Sequence, residues 1–430
     1  MNVKAEGTRS PCARCKEHDG VLDLRSERVC QTCFTTFVAS KAIKRLEVLQ
    51  RETRGPRLPS RPQRYLVALS RGPSSTALLH VLSENRRRQL ERNQRAKFEL
   101  VVAFVDVDAD VDDVQQQQQQ QSPGADPFAA HFPGLAVHRV PLSDVLSSPA
   151  VDWASLPVSV APPDASLPAA RRRRRLADLL ARLPSAGARA DVARLLTRHA
   201  LLAFARARGC GVVLLGHTTT SLAELTLSEA AKGRGFGIPW LVNDGALPSP
   251  SSSPDPLAPP TGETSAPVQV YSPLREIFRK EVRTYLEVTH SPAGGVLADL
   301  FFPSPSPPPS SSSSLLRVWA DPGAAVVSHR DLSLDDVVAR YFAGVEAAYP
   351  SVVANVVRTT GKLSRPSARA VAGVDVGMDA PPWCGLCGVG LDPLGDERWK
   401  GEIGDADGDG KARQGKGGGL CYGCERSVRG

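Results

Sequence analysis

Eight of the nine cysteines fall into four Cys-x-x-Cys pairs, Cys12/Cys15 and Cys30/Cys33 toward one end and Cys384/Cys387 and Cys421/Cys424 toward the other. No other feature constrains the fold as strongly. One Cys-x-x-Cys turn offers two thiolates, and two turns complete a tetrahedral metal site with no position left for substrate. Fourteen residues separate the first two pairs, a zinc-ribbon spacing; thirty-three separate the second two, across a Gly- and Asp-rich stretch at 401–419. The expected cofactor is zinc, one structural ion at each end. On the residues alone, three other arrangements stay open: disulfides, an iron–sulfur cluster in place of zinc, and sites that mix an N-terminal pair with a C-terminal one. Disulfides are disfavoured, because no apolar leader precedes Cys12 and cytosolic thiols stay reduced.

The rest of the chain is too irregular for one compact ball. It holds 36 Gly and 36 Pro among 430 residues, with only 5% aromatics, so long solvated segments are expected between folded pieces. There is no run of about twenty apolar residues, so no membrane span is expected and a cytoplasmic location is. A net charge of +8 favours a polyanionic partner, since Lys and Arg that neutralise phosphates release condensed counterions. The arginine run 171–175 reads either as a phosphate-binding strip or as a solvated charged tail.

Periodicity orders the chain into modules. A zinc module and an amphipathic helix at 35–52 occupy residues 1–54. Between 55 and 290, short apolar runs at 65–70, 99–105, 137–140 and 212–215 alternate with helical patterns at 74–82 and 191–208. Such alternation specifies an α/β fold, a doubly wound parallel sheet with helices on both faces. Ser74 or Ser75 is the expected cap of the first helix in that domain. Disordered inserts are expected near 112–134, which includes a polyglutamine run, and near 147–175 and 244–267. A disordered linker at 291–320, a helical extension at 321–370 and a zinc module at 371–430 complete the chain.

Chemistry concentrates where strands end. Ser70, Arg71, Gly72, Pro73, Ser74 and Ser75 join a buried strand to a helix N-terminus, whose unpaired N–H groups and dipole favour anions. Gly216, His217, Thr219 and Thr220 follow a second strand, and both segments line one crevice at the carboxyl edge of the sheet. The first segment resembles the Ser-Gly-Gly-x-Asp-Ser loop of ATP-pyrophosphatase enzymes, adenine nucleotide alpha hydrolase-like proteins that adenylate a tRNA base before sulfur is inserted. The second, Leu215 to Glu224, is similar to their Gly-His-x-x-Asp-Asp-x-Ala-Glu segment. Closer still, Ala231-Lys-Gly-Arg-Gly235 with Ile238-Pro-Trp240, Pro273-Leu-Arg-Glu276 with Lys280-Glu281, and the C-terminal cysteine pairs resemble the cytoplasmic tRNA 2-thiolation protein 2 family. The likeness covers most of the chain outside the low-complexity inserts. It implies a heterodimer with a catalytic ATP-pyrophosphatase subunit that thiolates the 5-substituted wobble uridine of the tRNAs for Lys, Glu and Gln. It also implies sulfur delivered by a ubiquitin-like carrier with a C-terminal thiocarboxylate. Lys232, Arg234, Arg275, Arg279 and Lys280 become candidate tRNA phosphate contacts, against the simpler reading of solvated helix charges.

Departures from the enzyme pattern limit what the crevice is expected to do. Arg71 stands where the loop has its first Gly, and a long side chain obstructs a backbone that must wrap closely on phosphate. Pro73 removes one N–H, Ser74 replaces the Asp, and Thr219 and Thr220 replace paired carboxylates suited to magnesium. ATP binding is therefore doubted and no catalytic residue is expected. His217 is expected either to touch a nucleotide or to cap its turn. Cys210, outside the four pairs, is expected to be a buried structural thiol. The reading that follows is a non-catalytic subunit. Its alternatives are an active ATP-dependent tRNA sulfurtransferase that uses terminal cysteines, and a zinc-ribbon adaptor for protein partners.

Overall fold

A computed structural model describes residues 10–53, 62–107, 127–156, 167–247, 267–292, 294–301, 333–365, 383–391 and 419–430. A small hairpin, β1 (Leu22–Leu24) and β2 (Glu27–Val29), leads into the long helix α1 (Gln31–Thr53). The core domain follows as β3 (Gln63–Ala68), α2 (Pro73–Asn93), β4 (Phe98–Asp106), the short α3 (Pro127–His131) and β5 (Val137–Pro141). It continues with α4 (Ala169–Ala181), α5 (Ala186–Ala207), β6 (Val212–Leu214), α6 (Thr219–Ala231) and α7 (Ile238–Val242). The strands β7 (Gly245–Ala246) and β8 (Gln269–Tyr271) and the helix α8 (Arg279–Val288) close it. Two helices, α9 (Leu334–Ala348) and α10 (Pro350–Thr360), form an extension, and α11 (Tyr422–Arg429) belongs to the second cysteine module.

The sheet runs in the order β5-β4-β3-β6-β8-β7. Five strands are parallel, as the alternation predicts; β7 alone runs antiparallel, paired with β8 as Gly245↔Val270 and Ala246↔Gln269. Strand β3 sits at the centre, with Tyr65 opposite Leu100 on one side and Val212 on the other. Because successive side chains point to opposite faces, β3 divides the core in two. Tyr65, Val67 and Leu69 pack with Phe34, Val38 and Leu46 of α1 and with the first cysteine set. Leu66, together with Ala103 and Val213, packs with Val192, Leu195 and Leu196 of α5 and with the second set. The two cysteine modules therefore brace opposite faces of one sheet.

Helix α1 shows why the N-terminal face closes. Phe34, Val38, Ala42, Leu46 and Leu49 are all buried, at a spacing that keeps one stripe on the core. Burying a Leu or Phe side chain in this way contributes roughly 1.5–3 kcal/mol. In the extension, Pro350 cannot continue α9 and instead occupies the first turn of α10, so the extension read at 321–370 holds two helices.

Several expectations need correction. Gly72 caps α2, not Ser74 or Ser75, because Pro73 takes the first helical position with its preset φ and no N–H to satisfy. The stretch 147–175 is not wholly irregular: Trp153–Ser155 forms a 3-10 turn, and the arginine run lies on α4, whose Leu176 and Leu179 are buried. Residues 127–131 are likewise helical, and Leu297–Leu300 forms a 3-10 turn within the stretch read as linker. The polyglutamine run, most of the insert read near 244–267 and the linker beyond residue 301 lie outside the described residues.

Candidate metal centres and nucleotide crevice

In each cysteine set the four sulfur atoms lie within 4.8 Å of one another, and the sets form within each terminal module rather than across them. All nine cysteines are free thiols, so the disulfide alternative falls. The local turns explain the convergence. Lys16 turns the first knuckle through a left-handed φ of 61°, and the hairpin returns Cys30 beside Cys12 just before α1 carries Cys33. The Cys30 N–H donates to Cys12 Sγ at 3.2 Å and the Cys33 N–H to Cys30 Sγ at 3.4 Å. In the second set the N–H groups of Cys421 and Cys387 donate to Cys384 Sγ at 3.3 and 3.5 Å. Amide donors aimed at sulfur are what thiolates need and thiols do not.

Crowding four ionisable sulfurs splits their acidities. Burial opposes the Cys12 thiolate, yet N–H bonds from Cys15, Cys30 and Arg14 outweigh it and draw the thiol down to about 6. Burial, and then the neighbouring Cys30 sulfur, push Cys33 up to about 12. Cys384 is likewise lowered by its three sulfur neighbours, whereas Cys387, by burial first, and Cys424 are raised. A central dication relieves that conflict. The contacts Cys15–Cys30 and Cys387–Cys421 are both 3.8 Å, matching the edge, about 3.8 Å, of a tetrahedron with metal–sulfur bonds near 2.3 Å. The donor sets therefore fit a metal.

The C-terminal module is held by a buried charge cluster. Asp191 accepts from Arg234 at 2.7 Å and from Arg194 and Lys232 at 2.9 Å, and Ser427 of α11 donates to its other oxygen at 2.8 Å. Glu229 accepts from Arg234 Nε at 2.7 Å, and Lys232 reaches Asp335 at the start of α9 at 2.6 Å. Burial alone would raise the Asp191 carboxyl, but Arg234, Arg194 and Lys232 hold it well below the usual carboxylate range. Backbone contact is equally close: a Cβ on Gly423 would sit 2.4 Å from the Lys232 carbonyl oxygen. His199 Nε2 meets the Leu386 carbonyl at 2.8 Å, and Arg198 donates to the Cys387 carbonyl.

The phosphate-type loop is occupied by its own side chains. Ser75 Oγ accepts from the Ser70 N–H at 3.2 Å, and Ser70 Oγ accepts from the Gly72 N–H at 3.3 Å. Pro73 offers no N–H. Arg71 adopts a left-handed φ of 58°, a conformation natural to glycine, and lays its guanidinium 4.4 Å from the Phe104 ring. Gly216 of the second segment presses on the loop, where a Cβ would lie 2.8 Å from the Ser75 backbone N. The threonines in place of paired carboxylates are engaged elsewhere. Thr219 Oγ1 donates to the Arg275 carbonyl, and Thr220 Oγ1 donates to Glu346 of α9, each at 2.8 Å. The Glu346 carboxylate also accepts from the Lys280 N–H at 2.9 Å, so the extension is bolted onto the second segment.

His217 Nδ1 is buried without a partner among the described residues. Burial, and then the Arg194 charge, lower its pKa to about 4. The unfolded chain takes up that proton first, so this contribution is full above pH 6.5 and is lost as pH falls from 6.5 toward 4. We expect urea unfolding of the parent to weaken by up to about 3 kcal/mol more than that of His217→Gln over this range. Equal losses in the two proteins would show that His217 is solvated in the fold.

Sequence comparison adds a lineage to this geometry. Cytoplasmic tRNA 2-thiolation protein 2 of Phaeosphaeria nodorum is 31% identical over 97% of this chain and 94% of its own length. The chain belongs to the cytoplasmic tRNA 2-thiolation protein 2 family. The Sclerotinia sclerotiorum member is 34% identical, covering 86% of each chain, and the family model of that description matches residues 333–410. Among solved structures, the U34-tRNA thiolase NcsA of Methanococcus maripaludis with its 4Fe–4S cluster aligns over 81% of this chain and 86% of its own. That alignment has a TM-score of 0.46 and 15% identity.

In this family member, the cations read as tRNA contacts divide. Arg234 is fully buried and Lys232 is 12% exposed, both spent on internal carboxylates, so neither faces a ligand. Arg279 pairs with Glu224, Arg275 pairs with Asp244 at 3.0 Å, and Lys280 is exposed. Cys210 is buried in the core, where burial pushes its thiol up, in line with a structural role. Sequence reasoning missed Asp191, Glu229, Ser427 and Glu346. The only sequence trace of the three carboxylates is acidic residues at helical positions that the fold buries, and Ser427 leaves none.

Proposed function

We propose that this chain is the non-catalytic subunit of a cytoplasmic tRNA 2-thiolation complex. In this reading it partners a catalytic ATP-pyrophosphatase subunit in thiolating the wobble uridine of the tRNAs for Lys, Glu and Gln. The sulfur comes from a thiocarboxylated ubiquitin-like carrier. Family membership supports the pathway. The single observation that carries the non-catalytic part is the loop from Ser70 to Ser75, whose N–H groups at Ser70 and Gly72 already bind the loop's own hydroxyls. Preorganised amide donors are what a nucleotide's phosphates require, and here these two are engaged within the loop. Each cysteine set is proposed to hold one structural zinc. Sulfur contacts of 3.8 Å suit a single ion, whereas a cluster would insert several iron and sulfide atoms between its ligands.

Two measurements test the reading. Reconstituting the catalytic subunit with and without this chain should give wobble 2-thiouridine only with it, read by mass spectrometry of tRNA digests. Titration calorimetry of the chain alone with ATP and magnesium should show no binding at micromolar nucleotide. ATP binding that disappears in Ser70→Ala or Ser75→Ala would overturn the non-catalytic assignment. Full thiolation by the partner alone would overturn the role itself.

A further inference from the structure

A cavity of about 720 Å³ opens beside the second crevice segment, away from the Ser70–Ser75 loop. Three parts of the chain build it. Arg25, Lys41 and Arg45 come from the N-terminal hairpin and α1, Arg275 comes from the loop after β8, and Arg358 and Lys362 come from the end of α10. Only two carboxylates, Asp244 and Glu276, share the walls, and Glu281 behind them pairs with Arg25 at 3.1 Å, leaving a surplus of three positive charges. Asp244 is divided between Arg45 and Arg275, and Glu276 takes Lys41 at 2.9 Å. Arg358 bonds only the Asn355 side chain, and Lys362 has no side-chain partner among the described residues. Arg25 is aimed from the hairpin tip by a left-handed φ of 58° and by its bond to the Glu276 carbonyl at 2.9 Å.

Concave surfaces of one sign concentrate the field and attract counter-ions. Here the cations line a trough rather than one focus, and α10 and the Arg25 hairpin stand on different elements. A mononucleotide would want an aromatic or apolar slot for its base. The Phe278 ring is already engaged by the Arg25 guanidinium, 5.5 Å from its centroid, Val357 is buried, and Ala354, Gly361, Thr219 and Asn243 fill out the wall. We infer that this trough, and not the phosphate-type loop, is the chain's polyanion site, and that it takes a stretch of RNA sugar-phosphate backbone. The inference deepens the role proposed above by assigning the RNA-holding surface of this subunit.

The test uses the full chain and a fluorescent tRNA transcript, followed by anisotropy across a salt series. Arg358→Glu with Lys362→Glu alters exposed residues outside the metal sets, so folding is preserved and checked by circular dichroism. We expect at least tenfold weaker binding. The slope of log affinity against log salt should flatten by about 1.4, roughly 0.7 for each lost contact. Arg171→Glu with Arg174→Glu on α4 should leave binding unchanged, and ATP or tripolyphosphate should compete only at millimolar concentration. Parental affinity in the double variant on α10 would overturn the site. So would micromolar ATP binding that this variant removes, which would make the trough a nucleotide pocket. The wobble-uridine assay separates the two readings: a chain that holds RNA in the trough but is dispensable for thiolation would sink the role and leave the site standing.

Discussion

Replacing Arg234 by Met should be the most damaging single change that leaves the cysteines intact. Its guanidinium is fully buried and neutralises both Asp191 and Glu229. Removing it takes one of three cations from two buried carboxylates, leaving Arg194 and Lys232 on Asp191 and Arg194 alone on Glu229, a loss of about 3–5 kcal/mol, or on the order of 10 °C in melting midpoint. The effect should reach beyond the site. Asp191 also holds Ser427, and the Arg234 side chain lies against Gly423. Loss of the cluster therefore unseats α11 and the cysteines beside it, and limited proteolysis should cut first near 419–430. Asp191→Asn should be milder, since it keeps the Ser427 contact and removes one charge from the five of Asp191, Glu229, Arg194, Lys232 and Arg234. A melting point within 2–3 °C of the parent in the Met variant, about 1 kcal/mol or less, would mean water reaches this cluster.

Breaking one cysteine set should loosen one face of the sheet and spare the other. Cys424→Ser removes a buried ligand packed with Leu386, Val389 and Val428 against α5. Cys30→Ser removes a ligand packed with Phe34 and Val38 of α1. Each variant should bind one metal ion per chain where the parent binds two, measured by elemental analysis. Structural zinc contributes apparent binding energies of about 10–16 kcal/mol in small modules, so local unfolding should be complete. Hydrogen exchange should accelerate in α5 and α11 for the first variant, and in α1 and the β1–β2 hairpin for the second. Identical exchange maps for the two variants would refute the division of the core by β3.

The metal sites were legible in sequence because each pair of ligands is local, and a Cys-x-x-Cys turn needs no tertiary knowledge to be recognised. The parallel strands were legible for a similar reason: β3, β4 and β6 are short apolar runs, and β3 and β6 are followed by Ser70 and Gly216. The charge cluster was not. Arg234 meets its partners across 43 residues to Asp191 and 193 to Ser427, and a basic residue in a loop reads as solvated until the fold buries it. The same holds for the trough, whose cations are separated by more than 300 positions in the chain. Helix α4 was hidden because five consecutive arginines mask an apolar pair, Leu176 and Leu179, that only tertiary contact reveals.

The late position of Cys421 and Cys424 has a consequence for synthesis. Ribosomes deliver roughly 5–20 residues each second, so the thirty-three residues after Cys387 take about 2–7 s to emerge. Throughout that interval the first knuckle has half its ligands, and the part of the α5 core that Cys424 and Val428 complete stays uncovered. Starvation for metal would lengthen that exposure without changing a single codon.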